Sequence, residues 1–202
     1  MLPDSIRHLK GKELKNAIPD KIYISLKDMR ILTKVDMLML EMLANCNWER
    51  PLYMAISVGE VSKLKFDHYF VQEGLAFRFT PFDYKKWGNV KGDNNYAIDV
   101  ERLYENVMNR YKYGGLDTPG LYLDETTLRT CYYHRRLFAQ LAKELIRQGD
   151  NTRARKVLAY AEQAVPAYNV PEIYESGSFD IAKAYAALGE KTKAMPLLKN
   201  LT

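Results

Sequence analysis

With 202 residues, 47% apolar and 27% charged, the chain is long enough for one substantial core or two small units and has the composition of a folded globular protein. No run approaches the ~20 apolar residues of a membrane span; the longest, Val35 to Ala44, is interrupted by Asp36 and Glu41. The net charge of +5 is scattered among 25 acidic residues, which argues for a solvated surface rather than a nucleic-acid footprint.

The opening Met1-Leu-Pro-Asp-Ser lacks the apolar segment of a signal peptide. Residues 1–21 are polar and basic, broken by Pro3, Gly11 and Pro19, and read as a linker with one short helix. Ile22 to Leu26 is rich in β-branched and aromatic residues and is predicted as a first strand. Thr33 with Asp36 has the form of a capping box, opening a helix whose stripe is Val35, Leu38, Met39, Met42 and Leu43 and which Asn45, Asn47 and Pro51 close. Leu52 to Val58 is a nearly continuous apolar run, as in a strand covered on both sides. Strand, helix and strand in that order imply a right-handed crossover joining a parallel pair.

Phe66 to Val71 reads as a short helix and Leu75 to Thr80 as a third strand. Gly88, Gly92, Asn94 and Asn95 make the stretch from Asp83 to Tyr96 an exposed loop. Ile98, Leu103, Val107 and Met108 give a helix after Asp99 that ends before Gly114-Gly115. Asp117-Thr-Pro-Gly120 is a turn with proline at its second position.

Asp124-Glu125 then supplies acids to the first turn of a helix that runs into a repeat. Phe138, Leu141, Ala142 and Leu145 share one face, Gly149-Asp150 breaks the pattern, and Ala154, Leu158 and Ala161 form a second stripe closed by Pro166. A second copy carries Ile181, Ala182, Tyr185, Ala194 and Leu198, with Gly189 standing 40 residues after Gly149. The small residues let two helices approach closely, and the outline is that of a tetratricopeptide repeat, whose period is ~34. The surplus falls at Tyr168 to Pro171. The expected fold is α+β: a small three-stranded, partly parallel sheet with helices over residues 22–110, a loop over 111–123, and tetratricopeptide-like α-hairpins over 124–202.

Two stretches are more particular: Asn45-Cys-Asn-Trp-Glu-Arg-Pro-Leu-Tyr53 and Asp67-His-Tyr-Phe-Val-Gln-Glu-Gly-Leu-Ala-Phe-Arg78. They resemble the C-terminal part of a Bacteroidetes family of polytopic membrane proteins similar to protein O-mannosyltransferases of the GT-C type. Trp48, Arg50, Pro51 and Tyr53 match its N-W-x-R-P-[IL]-Y motif, and the resemblance spans Ile22 to Leu198. It implies a soluble accessory domain on the periplasmic side of the inner membrane. Its implied partners are a membrane-embedded region of the same polypeptide and an acceptor protein or glycan. The family's catalytic acid is expected among membrane helices that this chain lacks, so no catalytic residue, metal ligand or cofactor carries over.

Trp48 and Arg50 offer an aromatic face and a planar guanidinium, the pair that glycan or carboxylate recognition uses. The plainer reading has Trp48 covering a helix end and Arg50 paired with an acid inside the sheet. The inner face of the repeats presents Arg136, Ala139, Lys143 and Ile146, then Ser176, Phe179, Lys183 and Ala186. Arg136, Lys143, Phe179 and Lys183 are thus the candidate partner-binding residues, suited to an acidic segment. A free-standing carbohydrate-active enzyme with Asp67 or Glu73 as its acid is the alternative, although six-residue spacing serves paired carboxylates poorly. A scaffold for another periplasmic protein is a further one. Cys46 and Cys131, far apart and outside any metal-ligand spacing, read as free thiols.

Overall fold

A computed structural model describes residues 10–27, 30–46, 48, 50–58, 64, 66–84 and 96–200. The chain divides into two compact units, Met1–Glu101 and Arg102–Thr202. The expected loop between Asp83 and Tyr96 lies largely outside the described residues.

In the first unit a short helix, α1 (Gly11–Ala17), precedes α2 (Lys34–Ala44). Thr33 caps α2 as its sequence predicts: the Asp36 backbone N–H donates to the Thr33 hydroxyl (3.2 Å), while the Thr33 N–H donates to the Asp36 carboxylate (2.8 Å). The sheet has four strands rather than the expected three: β1 (Tyr53–Ala55), β2 (Phe70–Gln72), β3 (Ala76–Phe79) and β4 (Ala97–Ile98), in the order β1-β3-β2-β4. β3 pairs antiparallel with both β1 and β2, and β2 pairs parallel with β4. The sheet is therefore mixed, but its parallel pair is not the one the crossover argument placed.

Ile22 to Leu26 is not a strand. Its β-propensity finds no neighbouring ladder, and Ile22 and Ile24 instead rest against the aromatic core. Where Phe66 to Val71 reads as helix, only Asp67–Tyr69 forms a single 3₁₀ turn, and the chain extends at Phe70 to become the central strand β2. Both faces of β2 are buried. One covers Leu64, Phe66, Tyr69, Phe70, Phe77 and Phe79; the other side of the unit buries Ala17, Val71, Phe82, Tyr84 and Ala97. Burial pushes the Tyr84 phenol up to about 12.

The division between units falls inside the helix α3 (Val100–Glu105), which widens into a π-turn over Asn106–Arg110. The second unit is built of packed helices: α4 (Glu125–Arg147), α5 (Asn151–Ala164), α6 (Ser178–Ala187) and α7 (Lys191–Lys199). Asp124 caps α4 by accepting the N–H groups of Thr126 (2.9 Å) and Thr127 (3.1 Å).

Two helical hairpins close with the same turn. After α4, the Asp150 N–H donates to Leu145 O and the Gly149 N–H to Ile146 O; after α6, Glu190 reaches Tyr185 O and Gly189 reaches Ala186 O. Gly149 (φ 84°) and Gly189 (φ 79°) take the left-handed conformation that this double bond requires. Ala142 and Ala154 of the first hairpin, and Ala182 and Ala194 of the second, are buried where the helices meet.

Arg135 of α4 joins the hairpins. Its guanidinium donates to the carbonyls of Val165 (3.1 Å), Val170 (2.6 Å) and Pro171 (2.8 Å) and to the hydroxyls of Ser176 (2.9 Å) and Ser178 (3.4 Å). Arg135→Met would take this donor from the Val165, Val170 and Pro171 carbonyls, and urea unfolding should show a loss of about 3 kcal/mol or more. Arg135→Lys should recover only part of it, because an ammonium cannot span the loop as a planar fork does; a lysine variant as stable as the parent contradicts the clamp. Gly177→Ala is expected to cost more than Gly149→Ala, about 1–3 kcal/mol against about 1. Both glycines have left-handed backbones, but a Cβ at 177 would stand 2.7 Å from Arg136 Cγ while one at 149 meets open space.

Candidate functional site

In the first unit Trp48 packs on Phe79 at the end of β3, and Tyr53 opens β1. The Trp48 ring stacks on Phe79 with centroids 5.3 Å apart and planes within 10°, yet the residue stays 51% exposed. One face is covered and the other is open. Its backbone is left-handed (φ 60°), a conformation uncommon for a bulky aromatic. A cavity of about 230 Å³ lies alongside, lined by Trp48, Arg50, Pro51, Arg78, Phe79 and Thr80 among others. Cys46 also lines it, as a half-buried free thiol.

Arg50 is exposed rather than set inside the sheet. The arginine that meets an acid there is Arg78, whose Nε lies 2.7 Å from the Glu73 carboxylate. The Tyr53 hydroxyl donates to the other Glu73 oxygen (3.1 Å). The alternation of β3 separates Arg78 from Phe77 and Phe79, and the Glu73-Gly74-Leu75 turn returns Glu73 to it. Glu73 is thus held in place by a cation and a phenol, both of which occupy its carboxylate oxygens. Asp67 is exposed at the start of its 3₁₀ turn, and His68 Nε2 lies 3.9 Å from Asp83. Among the described residues no group of three or more His, Cys, Asp or Glu side chains could hold a metal ion.

In the second unit Arg136, Lys143 and Lys183 are exposed and Phe179 is half-buried. The Lys183 ammonium sits over the Phe179 ring, 4.1 Å from its centroid, and 3.4 Å from the Asp180 carboxylate. Tyr174, itself exposed, packs against Phe179 at 5.3 Å. Arg136 donates to the Glu175 carbonyl and lies over the Tyr133 ring at 5.8 Å. The expected face therefore carries cations interleaved with aromatics. Ala139 and Ser176, expected on it, are buried; Ser176 faces inward to Arg135.

Sequence reasoning missed Arg135, since arginine is almost never fully buried unless paired. Burial lowers the pKa of its guanidinium, and the charge of Glu172 opposes that shift. It also missed a cluster in which Tyr113 meets His134 (5.2 Å), Phe138 (5.6 Å) and Tyr160 (6.1 Å). Burial lowers the His134 pKa and raises that of the Cys131 thiol, so both are neutral.

Residues 5–101, just under half of the chain, match the family described as TMEM260-associated domain 2. The match takes in Trp48, Arg50, Glu73 and Arg78. No curated protein and no solved structure matches the chain. Among the described residues no helix is long and apolar enough to cross a membrane.

Glu73→Ala is expected to destabilise the first unit by about 3 kcal/mol, because Arg78 loses the carboxylate that compensates its burial. Denaturant unfolding followed by near-ultraviolet circular dichroism measures it. A variant of unchanged stability contradicts a structural role for this pair.

Proposed function

We propose that this chain is a non-catalytic contact domain of a membrane-embedded glycosyltransferase-like protein. Its helical unit is tetratricopeptide-like and holds an acidic segment of an acceptor protein. What supports the repeat reading is the pair of identical glycine turns 40 residues apart, each followed by a helix that buries an alanine at the same place. The longer period has a cause in the Arg135-clamped loop between the hairpins.

The observation that carries the binding role is the strip of cations and aromatics formed by Arg136, Tyr133, Lys183, Phe179 and Tyr174. Lysine and arginine on an aromatic-lined helical face attract carboxylates and leave flat apolar surface beside them. The match to a TMEM260-associated domain and the resemblance of the Trp48 to Tyr53 motif support attachment to a membrane-embedded partner region, with the domain on the periplasmic side. So does α2, which leaves Val35, Leu38 and Met42 exposed on one apolar face. The engagement of Glu73 by Arg78 and Tyr53 weighs against a free-standing enzyme that uses it as an acid.

The full chain should capture a glutamate-rich peptide at low salt and release it as ionic strength rises. Reversing two charges, Lys143→Glu with Lys183→Glu, should weaken capture by roughly tenfold or more while helical circular dichroism is preserved. Capture unchanged by the double reversal would remove this face from the proposal.

A further inference from the structure

We propose that the cavity beside Trp48 is a carbohydrate subsite for a pyranose ring that bears a carboxylate. The sugar's apolar face lies on the open face of Trp48 and its carboxylate meets the Arg50 guanidinium. The subsite belongs to the first unit and is independent of peptide capture by the helical unit.

Several observations point the same way. Trp48 is half exposed, and the parallel stack on Phe79 fixes the plane of the open face. A rigid, flat, partly wet aromatic is what the CH-rich face of a sugar ring packs against, at little cost in side-chain freedom. The backbone at Trp48 is left-handed (φ 60°), and strain of this kind, about 1–3 kcal/mol, persists where surrounding structure enforces it.

The cavity's size and charge narrow the ligand. At about 230 Å³ it is smaller than the several hundred Å³ of a pocket for a drug-sized molecule, so it suits one ring rather than a whole cofactor. Its described lining contains two arginines and no carboxylate. Arg78 is engaged by Glu73, whereas Arg50 is exposed and has no ion pair to a described residue, leaving its planar fork for a carboxylate. Among the described residues no glycine or lysine lines the cavity, so they supply no backbone cradle of the kind phosphate recognition uses, and a nucleotide fits them less well.

The test titrates the full chain with methyl glucuronide and, in parallel, methyl glucoside and adenosine monophosphate. The indole N–H resonance of Trp48 is followed, distinguished from that of Trp87 by the spectrum of Trp87→Phe. A saturable shift with the glucuronide at about millimolar concentration is expected, with the neutral glucoside at least roughly tenfold weaker. Arg50→Gln should abolish that preference without changing thermal unfolding, and Trp48→Ala should abolish binding of both sugars. Should Trp48→Ala fail to fold, Arg50→Gln still decides the matter. No saturable shift, equal binding of the two glycosides, or tighter binding of the nucleotide would each overturn the subsite.

Discussion

The buried guanidinium of Arg135 meets five neutral oxygens drawn from the end of α5, the loop after it and the start of α6. The three carbonyls would otherwise lose this donor away from bulk water, while the Ser176 and Ser178 hydroxyls also bond each other (2.8 Å) and Ser176 bonds the Ile173 backbone. The Val165 carbonyl adds the negative end of the α5 dipole, which helps to offset the desolvation of a cation that touches no carboxylate directly. A loop with two prolines, Pro166 and Pro171, forms few ladders of its own, and one forked donor spanning it converts irregular chain into a fixed spacer. The second hairpin takes its position on α4 from that spacer. Gly177 follows from the same constraint, because α6 starts so close to α4 that a Cβ there would strike Arg136.

The first unit solves a similar problem with a different pair. A four-stranded sheet of strands only two to four residues long has few hydrogen bonds to hold it, so aromatic side chains carry much of its cohesion. Phe70 and Tyr69 each meet Phe79 at a tilt, and Trp48 extends the stack to the surface. Glu73 and Arg78 then tie the β2–β3 turn to its strand, and Tyr53 of β1 adds a third member. Removing Glu73 or Arg78 would leave its partner's charge in a place that water reaches poorly.

Signals that act over a few residues could be read without coordinates. Thr33 with Asp36, Asp124, and the two glycine breaks at 149 and 189 each state a local hydrogen-bonding need that only one conformation meets. The alanines and leucines of the hairpins were legible for the same reason, since their period is set within a single helix. Strands were legible only where they found partners. Ile22 to Leu26 has the stronger β composition, but Phe70 to Gln72, which looks helical in sequence, lies between two ladders. The roles of Arg50 and Arg78 were also beyond reach, because which arginine meets Glu73 depends on strand register rather than on composition. Of the candidate partner-binding residues, the pattern identified the exposed face but not the local contacts that occupy it.

Those contacts bear on how such a face can work. Lys183 is already shared between the Asp180 carboxylate and the Phe179 ring, so part of its charge is satisfied before any partner arrives. Arg136 likewise spends a donor on the Glu175 carbonyl. A carboxylate arriving here therefore exchanges one set of polar contacts for another, and its net gain is smaller than the formal charges suggest. The compensation is order: side chains held by rings and carbonyls lose little further freedom on binding. A surface built this way favours capture that is brief, dependent on ionic strength and tolerant of sequence.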